Sequence, residues 1–398
     1  MIFSLSEDNK FLIIDKCSEL ELEQLNISLT KRIKSWRFNP LVKRGIWDGY
    51  VSYIKNDKYI PAGLWKEVYD IAKQYNFEIQ FKNLTHIFDK GIDQDDFTKW
   101  ALEFFSGHEL SPRDYQIETA FRILKFRKCM AELATSAGKT LISFLIVAYM
   151  IEKGLASKIL FIVPNVSLVI QATEDFQDYN LRNRIKIKIQ QIYAGKKIRP
   201  NKNLIIGTYQ SLVKKDKEYF SEFDAIIVDE THKAKATSIK TILEKCTAAK
   251  YRFGLSGTIP KPGTLDRLTL MSHTGPLINE VNASFLQSKG HIAKCKVNVI
   301  EMDYAPDATK QAFSELANNK YDRSKVFGLE CNYIINNNER LNFISNVIEK
   351  TTKNSLVLFY RIEHGTKIYE RLRQSNKQVY YVDGGTDKDI REAYKSEM

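Results

Sequence analysis

Two stretches of the chain hold residues whose types and spacing could do chemistry. The first is Leu133-Ala134-Thr135-Ser136-Ala137-Gly138-Lys139-Thr140, followed by an apolar run over residues 141–151. Small residues closing on Gly-Lys-Thr ahead of a helix-length apolar segment form a phosphate-binding pattern. Backbone N–H groups of Thr135, Ser136, Ala137 and Gly138 would converge on phosphate oxygens, and the helix that follows adds its positive end. Lys139 would reach the β- and γ-phosphates, and the Thr140 hydroxyl would hold Mg²⁺. Leu133 stands where such loops usually open with glycine, and Gly-Lys-Ser/Thr also arises by accident, so the motif gains meaning only from its context. The second stretch, Ala225-Ile226-Ile227-Val228-Asp229-Glu230-Thr231-His232, supplies that context. Four apolar residues make a buried strand, and an acid pair stands at its carboxyl end, where open parallel sheets bind ligands. Asp229 would reach the metal carried by Thr140, and Glu230 would orient and deprotonate an attacking water. The competing reading, an acid pair that caps a helix, does not account for the strand before it. Together the two stretches predict hydrolysis of ATP.

Weaker candidates surround them. Arg113-Asp114-Tyr115-Gln116 precedes the phosphate loop on a predicted helix, and the Gln116 amide can both donate to and accept from an adenine edge. Ser256-Gly257-Thr258 ends another short strand, and its hydroxyls could sense the state of the phosphate site. Net charge is +12, and its distribution matters more than its size. Lys31, Arg32, Lys34, Arg37, Lys43 and Arg44 fall in an acid-free run interleaved with Trp36 and Phe38. A second acid-free run holds Arg182, Arg184, Lys186, Lys188, Lys196, Lys197, Arg199 and Lys202. One such run is ordinarily a solvated face; two of them beside a phosphate loop point to nucleic-acid phosphates.

The elements that must position these residues follow from the apolar pattern. Between about 110 and 290, buried-strand runs alternate with helical ones: 158–163, closed by Pro164-Asn165 and a helix carrying Gln171; 204–207, closed by Thr208-Tyr209-Gln210; 225–228; and 251–255. That alternation predicts a doubly wound parallel α/β sheet. Before it, residues 1–105 read as a small α+β domain with a helix over 19–34 and a hairpin turning at Asn56-Asp57. Residues 184–189 alternate strictly and predict a strand with a basic face. The motor would span 106–292. Residues 293–398 read as a connection, made of 296–300 and a polar helical tract over 310–350 broken at Asn336-Asn337-Asn338, leading into an incomplete second sheet domain with strands at 355–360 and 379–382.

Composition bounds the rest. Five scattered cysteines without a Cys-x-x-Cys pair indicate neither a disulfide frame nor a structural metal. No apolar run is long enough for a membrane span, and the N-terminus has no secretion signal, so no membrane partner and a cytoplasmic location are expected.

With these residues in order, the chain resembles the superfamily 2 helicases of the DExH form, whose motor is two RecA-like domains with ATP between them. The motifs that carry the resemblance are Arg113/Gln116, Thr135 to Thr140, Pro164 through Gln171, Thr208 to Gln210, Asp229-Glu230-Thr231-His232, Ser256-Gly257-Thr258, and Leu356 to Tyr360. Arg37-Phe38-Asn39-Pro40, Gly45-Ile46-Trp47-Asp48-Gly49 and Thr135-Ser136-Ala137-Gly138-Lys139 resemble those of the phage UvsW-type helicases. The resemblance implies an ATP- and Mg²⁺-dependent motor acting on branched or forked DNA in recombination, repair or replication. It implies that His232 works with Ser256, Gly257 and Thr258 to couple nucleotide state to DNA grip. It also implies nucleic-acid contacts at Pro164, Asn165, Gln171, Thr208, Gln210 and Tyr360, besides Lys31, Arg32, Lys34 and Arg37. A monomer is expected, in the cytoplasm of a host cell if the gene is a phage's. Motifs V and VI do not occur before Met398, which implies a truncated form of a longer protein, with slow turnover in this polypeptide. An RNA helicase, or a DNA-binding recruiter with a vestigial motor, are the alternatives.

Overall fold

Five-residue apolar runs that must be covered on both sides organise the structure. In Ile159–Val163 every residue is buried, as in Leu204–Thr208. Side chains alternate between two cores: Ile159, Phe161 and Val163 face one, while Leu160 and Ile162 face the other. The same alternation splits Ala225 and Ile227 from Ile226 and Val228. A strand buried on both faces needs helices above and below, which only a parallel sheet with crossover helices supplies. The computed structural model describes residues 1–398 apart from 90, 182–183, 194–201, 231–235, 295, 304–322, 376 and 398. Two compact units divide the chain, Met1–Lys294 and Cys295–Met398.

Among its described residues the first unit contains three sheets. Strands β1 (Ile2–Leu5), β2 (Phe11–Lys16), β5 (Tyr59–Pro61) and β6 (Gln80–Lys82) form one in the order β5-β2-β1-β6, antiparallel except for the β1–β6 pair. A two-stranded ribbon joins β3 (Thr30–Arg32) to β4 (Tyr50–Ser52). The large sheet uses β7 (Lys128–Leu133), β8 (Ile159–Val163), β9 (Ile189–Ile192), β10 (Leu204–Thr208), β11 (Ala225–Asp229), β12 (Tyr251–Ser256) and β13 (Leu277–Val281). Its order is β13-β7-β12-β11-β8-β10-β9, and every pairing is parallel. One face carries the helices Gln94–Phe104, Asp114–Lys125, Lys139–Glu152 and Val166–Tyr179, which contribute to a single core. The other face packs Ala236–Lys245 through Ile239, Ile242 and Leu243. The predicted doubly wound parallel sheet is thus formed.

The N-terminal sheet does not close a core of its own. Phe3, Leu12, Leu25, Leu29, Ile60 and Leu64 share one cluster with Leu268, Leu270, Met271 and Leu277 from the end of the large-sheet region. Gly63 is buried against the helix Leu265–Thr274, and a Cβ there would run into the Met271 carbonyl oxygen. Tyr53 Oη and Thr269 Oγ1 share a hydrogen bond of 2.6 Å across the same seam.

Several local expectations need correction. The first helix is Glu19–Leu29, and the chain turns extended at Thr30 to pair with β4, so it ends short of 34. The hairpin at Asn56-Asp57 has a three-residue loop, 56–58, whose first two residues are left-handed at φ 51° and 50° as the central pair of a type I′ turn is. It holds only the Lys55–Tyr59 bridge, because β4 and β5 leave it for different partners. The alternating stretch at 184–189 becomes a strand only at Ile189; before that, Ile185 is buried while Asn180 binds its backbone.

In the second unit Asn337 caps Asn338–Glu349 by accepting from Arg340 N at 2.9 Å, so the triple asparagine is a helix break, as the sequence predicts. The expected strands at 355–360 and 379–382 have no ladder partners among the described residues. Leu356 and Leu358 are about four-fifths exposed. An apolar run without a covering layer on either side lacks the burial that makes a parallel strand. Phe359 and Tyr381 nevertheless stack at 5.5 Å, so the two runs touch through side chains alone.

Candidate nucleotide-binding site

Every candidate of the large sheet lies at one edge, because parallel strands deliver their carboxyl ends to the same side. β7 ends in the phosphate loop, and its first turn is pinned by Ala134 N donating to the Val281 carbonyl at 2.8 Å. This pin stands beside Leu133, which is fully buried and continues the strand where a glycine would turn the chain. Ser136 and Gly138 are left-handed at φ 67° and 80°. Alternating left-handed residues turn successive N–H groups toward one concavity, the arrangement that receives an anion. Gly138 caps the helix Lys139–Glu152, and a Cβ there would run into Gln116 Nε2.

Gln116 is buried and occupied on both sides of its amide. Its Oε1 accepts from Arg113 N at 2.9 Å, and its Nε2 donates to the Ala137 carbonyl at 3.0 Å. The first contact is half of a capping box at the N3 position of the helix Asp114–Lys125. The second holds the phosphate loop from behind. Tyr115 Oη donates to the same carbonyl at 3.1 Å, and the exposed Arg113 lies at its side. Tyr115 went unassigned in the sequence, although its place next to Gln116 was the available signal.

β11 delivers Asp229 and Glu230 two strands away from the loop, with β12 between. Lys139 Nζ forms an ion pair with Glu230 Oε1, both side chains being largely buried. Glu230 is left-handed at φ 51° and its N–H donates to Asp229 Oδ1 at 2.9 Å. A glutamate in this region costs about 1–2 kcal/mol, a strain that concentrates at functional sites. Lys139, Thr140 and Asp229 line one pocket of about 280 Å³ including its open mouth, with Ser143, Phe161, Val163, Leu168, Gln171 and Ala172. Gln171, expected at a nucleic acid, lines this pocket as well. Gly257 belongs here too: a Cβ on it would lie 3.6 Å from Lys139 Nζ. Ser256 is fully buried and its hydroxyl donates to the Thr258 carbonyl at 2.7 Å, while Thr258 itself is exposed. His232 lies outside the described residues.

The other candidates form two groups. Asn165 caps the helix Val166–Tyr179 by accepting from Leu168 N at 2.9 Å, and Gln210 Nε2 reaches the Pro164 carbonyl at 3.2 Å. Thr208 pairs with Val163 across the sheet and is buried, its hydroxyl bonded to Ser211 Oγ. The second group is the basic run before residue 45. Arg32 stacks over Trp36 at 3.4 Å, Lys34 pairs with Asp266 at 2.7 Å, Lys31 is half-buried, and Arg37 is exposed. Tyr360 belongs to the second unit and is fully exposed. Of the second basic run, Arg184 donates to the Glu103 carbonyl at 2.7 Å, and Arg182, Lys196, Lys197 and Arg199 lie outside the described residues.

Residues 11–82 match the family described as DNA helicase UvsW, N-terminal, and residues 109–261 match Type III restriction enzyme, res subunit. The ATP-dependent DNA helicase uvsW of Enterobacteria phage T4 is 28% identical over 388 residues, 96% of this chain and 75% of the relative. The DNA 3'-5' translocase XPB2 of Sulfurisphaera tokodaii is 24% identical over 269 residues, 66% of this chain and 57% of the relative. Among solved structures, the UvsW helicase from Bacteriophage T4 has a TM-score of 0.60 at 26% identity, covering 70% of this chain and all of that one.

Proposed function

We propose that the chain is a UvsW-like superfamily 2 DNA helicase, an ATP-dependent motor that remodels forks and junctions. The observation that carries the reading is the meeting of Lys139 with Glu230, 91 residues apart, beside the pocket that Thr140 and Asp229 line. A lysine, a hydroxyl and two carboxylates around one anion-shaped loop fit a triphosphate with its metal.

In this reading the Lys139 ammonium takes the β- and γ-phosphates, and in doing so leaves Glu230. The freed Glu230 carboxylate accepts the proton of the attacking water, while its backbone N–H keeps Asp229 oriented. Thr140 and Asp229 would hold Mg²⁺, which supplies charge neutralisation on the transferring phosphoryl group. Gln116 and Tyr115 hold the loop in its receiving shape, and Arg113 stands at the outer edge of the same helix start. Ser256, Gly257 and Thr258, of which Gly257 lies beside Lys139, couple occupancy to the helix Leu265–Thr274 and so to the N-terminal sheet; His232 would join them. Pro164, Asn165, Thr208 and Gln210 bind one strand's phosphates at the neighbouring strand ends.

The test is turnover and ATP binding in parallel. Lys139→Ala is expected to abolish both, and Glu230→Gln to abolish DNA-stimulated turnover while ATP still binds. Near-normal hydrolysis in either variant overturns these roles. Greater stimulation by RNA than by DNA would replace the DNA reading.

A further inference from the structure

Residues 36–50 leave the β3–β4 ribbon as an excursion whose scaffold is fixed while its crown is apolar. A 3-10 turn at Trp36–Phe38 leads to Asn39, which caps the short helix Pro40–Lys43. That helix closes with Gly45 N–H on the Val42 carbonyl and Ile46 N–H on the Leu41 carbonyl, with Gly45 at φ 71°. This paired closure sets Leu41 and Ile46 side by side. Underneath, Arg32 stacks on Trp36, Trp47 Nε1 donates to the Tyr50 carbonyl at 2.9 Å, and a Cβ on Gly49 would lie 2.9 Å from Trp36 Cβ. The crown is left in solvent: Phe38 is 78% exposed and Ile46 67%, with Leu41 beside them. Where a staple would put an apolar side chain against Phe38, Lys43 stands instead, its Nζ 6.0 Å from the ring centre. Arg37 and Arg44 are exposed on the same excursion, and residues 24–47 contain no acid.

Large apolar side chains held out into water by a hydrogen-bonded backbone imply a partner, and the cationic rim makes that partner anionic. Linear duplex DNA offers phosphates but hides the faces of its bases. A branch point offers both, because the last base pair before the fork lies open, and apolar side chains are the residues that wedge against such steps. We propose that the 36–50 excursion reads DNA branch points: Phe38, Leu41 and Ile46 stack on the base pair exposed at the junction. Arg37, Lys43 and Arg44 take the flanking phosphates. The proposal rests on the DNA-motor reading above and adds to it the element that would distinguish a junction from a plain duplex.

The experiment compares the chain with its Phe38→Ala/Ile46→Ala variant on two ligands. One is a forked duplex with 2-aminopurine at the branch; the other is a linear duplex of equal length. The variant is expected to lose about tenfold or more in fork affinity, the scale of one lost stacked base, and no more than about twofold on the linear duplex. The branch-point fluorescence change disappears with it, and Phe38→Trp keeps both. Both substituted side chains are exposed, so an unchanged melting temperature accompanies the loss. Equal fork affinity in the variant, or an equal loss on both ligands, overturns the proposal. So does undiminished fork binding together with lost binding to phosphatidylserine vesicles, which would assign the crown to a membrane surface. ATP turnover indifferent to DNA in the unmodified chain sinks the motor reading instead, while the two binding arms still judge the wedge.

Discussion

At Gly138 the phosphate loop and the helix behind it meet with no space for a methyl group. The left-handed backbone penalises any other residue by about 1–2 kcal/mol, and the Gln116 amide occupies the space a Cβ would need. Gly138→Ala is therefore expected to weaken ATP binding by roughly tenfold or more while lowering the melting temperature only by a few degrees, measured by titration with a fluorescent ATP analogue and by thermal scan. The clustering of the proposed catalytic residues was legible in the sequence. Gly-Lys-Thr and Asp-Glu carry their chemistry in adjacent residues, and the strand preceding each tells which edge it occupies. Gln116 was not legible. Its type suggested an adenine edge, but its two hydrogen bonds go to backbone atoms, one of them 21 residues away, and no side-chain pattern announces a backbone partner.

The helix Leu265–Thr274 is the element on which the N-terminal sheet rests. Lys34 reaches Asp266 on it, Arg267 on it reaches Glu67 at 3.8 Å, and Tyr53 reaches Thr269. Gly63→Ala would force a methyl into the Met271 carbonyl; overpacking of this kind costs about 1–3 kcal/mol, expected as a melting temperature lower by roughly 3–10 °C. The same helix carries His273. Burial, assisted by the charges of Arg252, Lys240 and Lys55, pushes its pKa down to about 4. The unfolded chain binds that proton first, near pH 6.5, so acid favours unfolding across the interval between the two values. Stability is expected to fall as pH drops from 6.5 toward 4, and His273→Gln to flatten that part of the profile in thermal scans. Elements with two buried faces were readable as strands because their apolar runs were unbroken. The runs at 355–360 and 379–382 looked the same on paper; what separates them is the covering layer, a property of neighbours and not of the run.

For the whole molecule, a net charge of +12 sets the expectation that DNA affinity falls steeply with salt. The structure ranks the contributors. Lys34 already spends its charge on Asp266, and Arg32 spends its guanidinium on Trp36 and the Asp48 carbonyl. Arg37→Gln is therefore expected to reduce the slope of log affinity against log salt by about one, and Lys34→Gln by clearly less, in titrations at four or more salt concentrations. Equal slopes for the two variants would contradict this ranking. The charge run was plain in the sequence, but its internal division was not, since Lys34 and Asp266 stand 232 residues apart.

That separation bears on how the protein is made. Phe3, Leu12 and Leu25 leave the ribosome well before Leu268, Met271 and Leu277, which complete their cluster and come near the end of the first unit. At roughly 5–20 residues per second, the early segment spends on the order of tens of seconds with that surface uncovered. Nascent chains halted before residue 277 should therefore be protease-sensitive throughout their first eighty or so residues, and chaperones that hold unfolded polypeptide have their longest opportunity there.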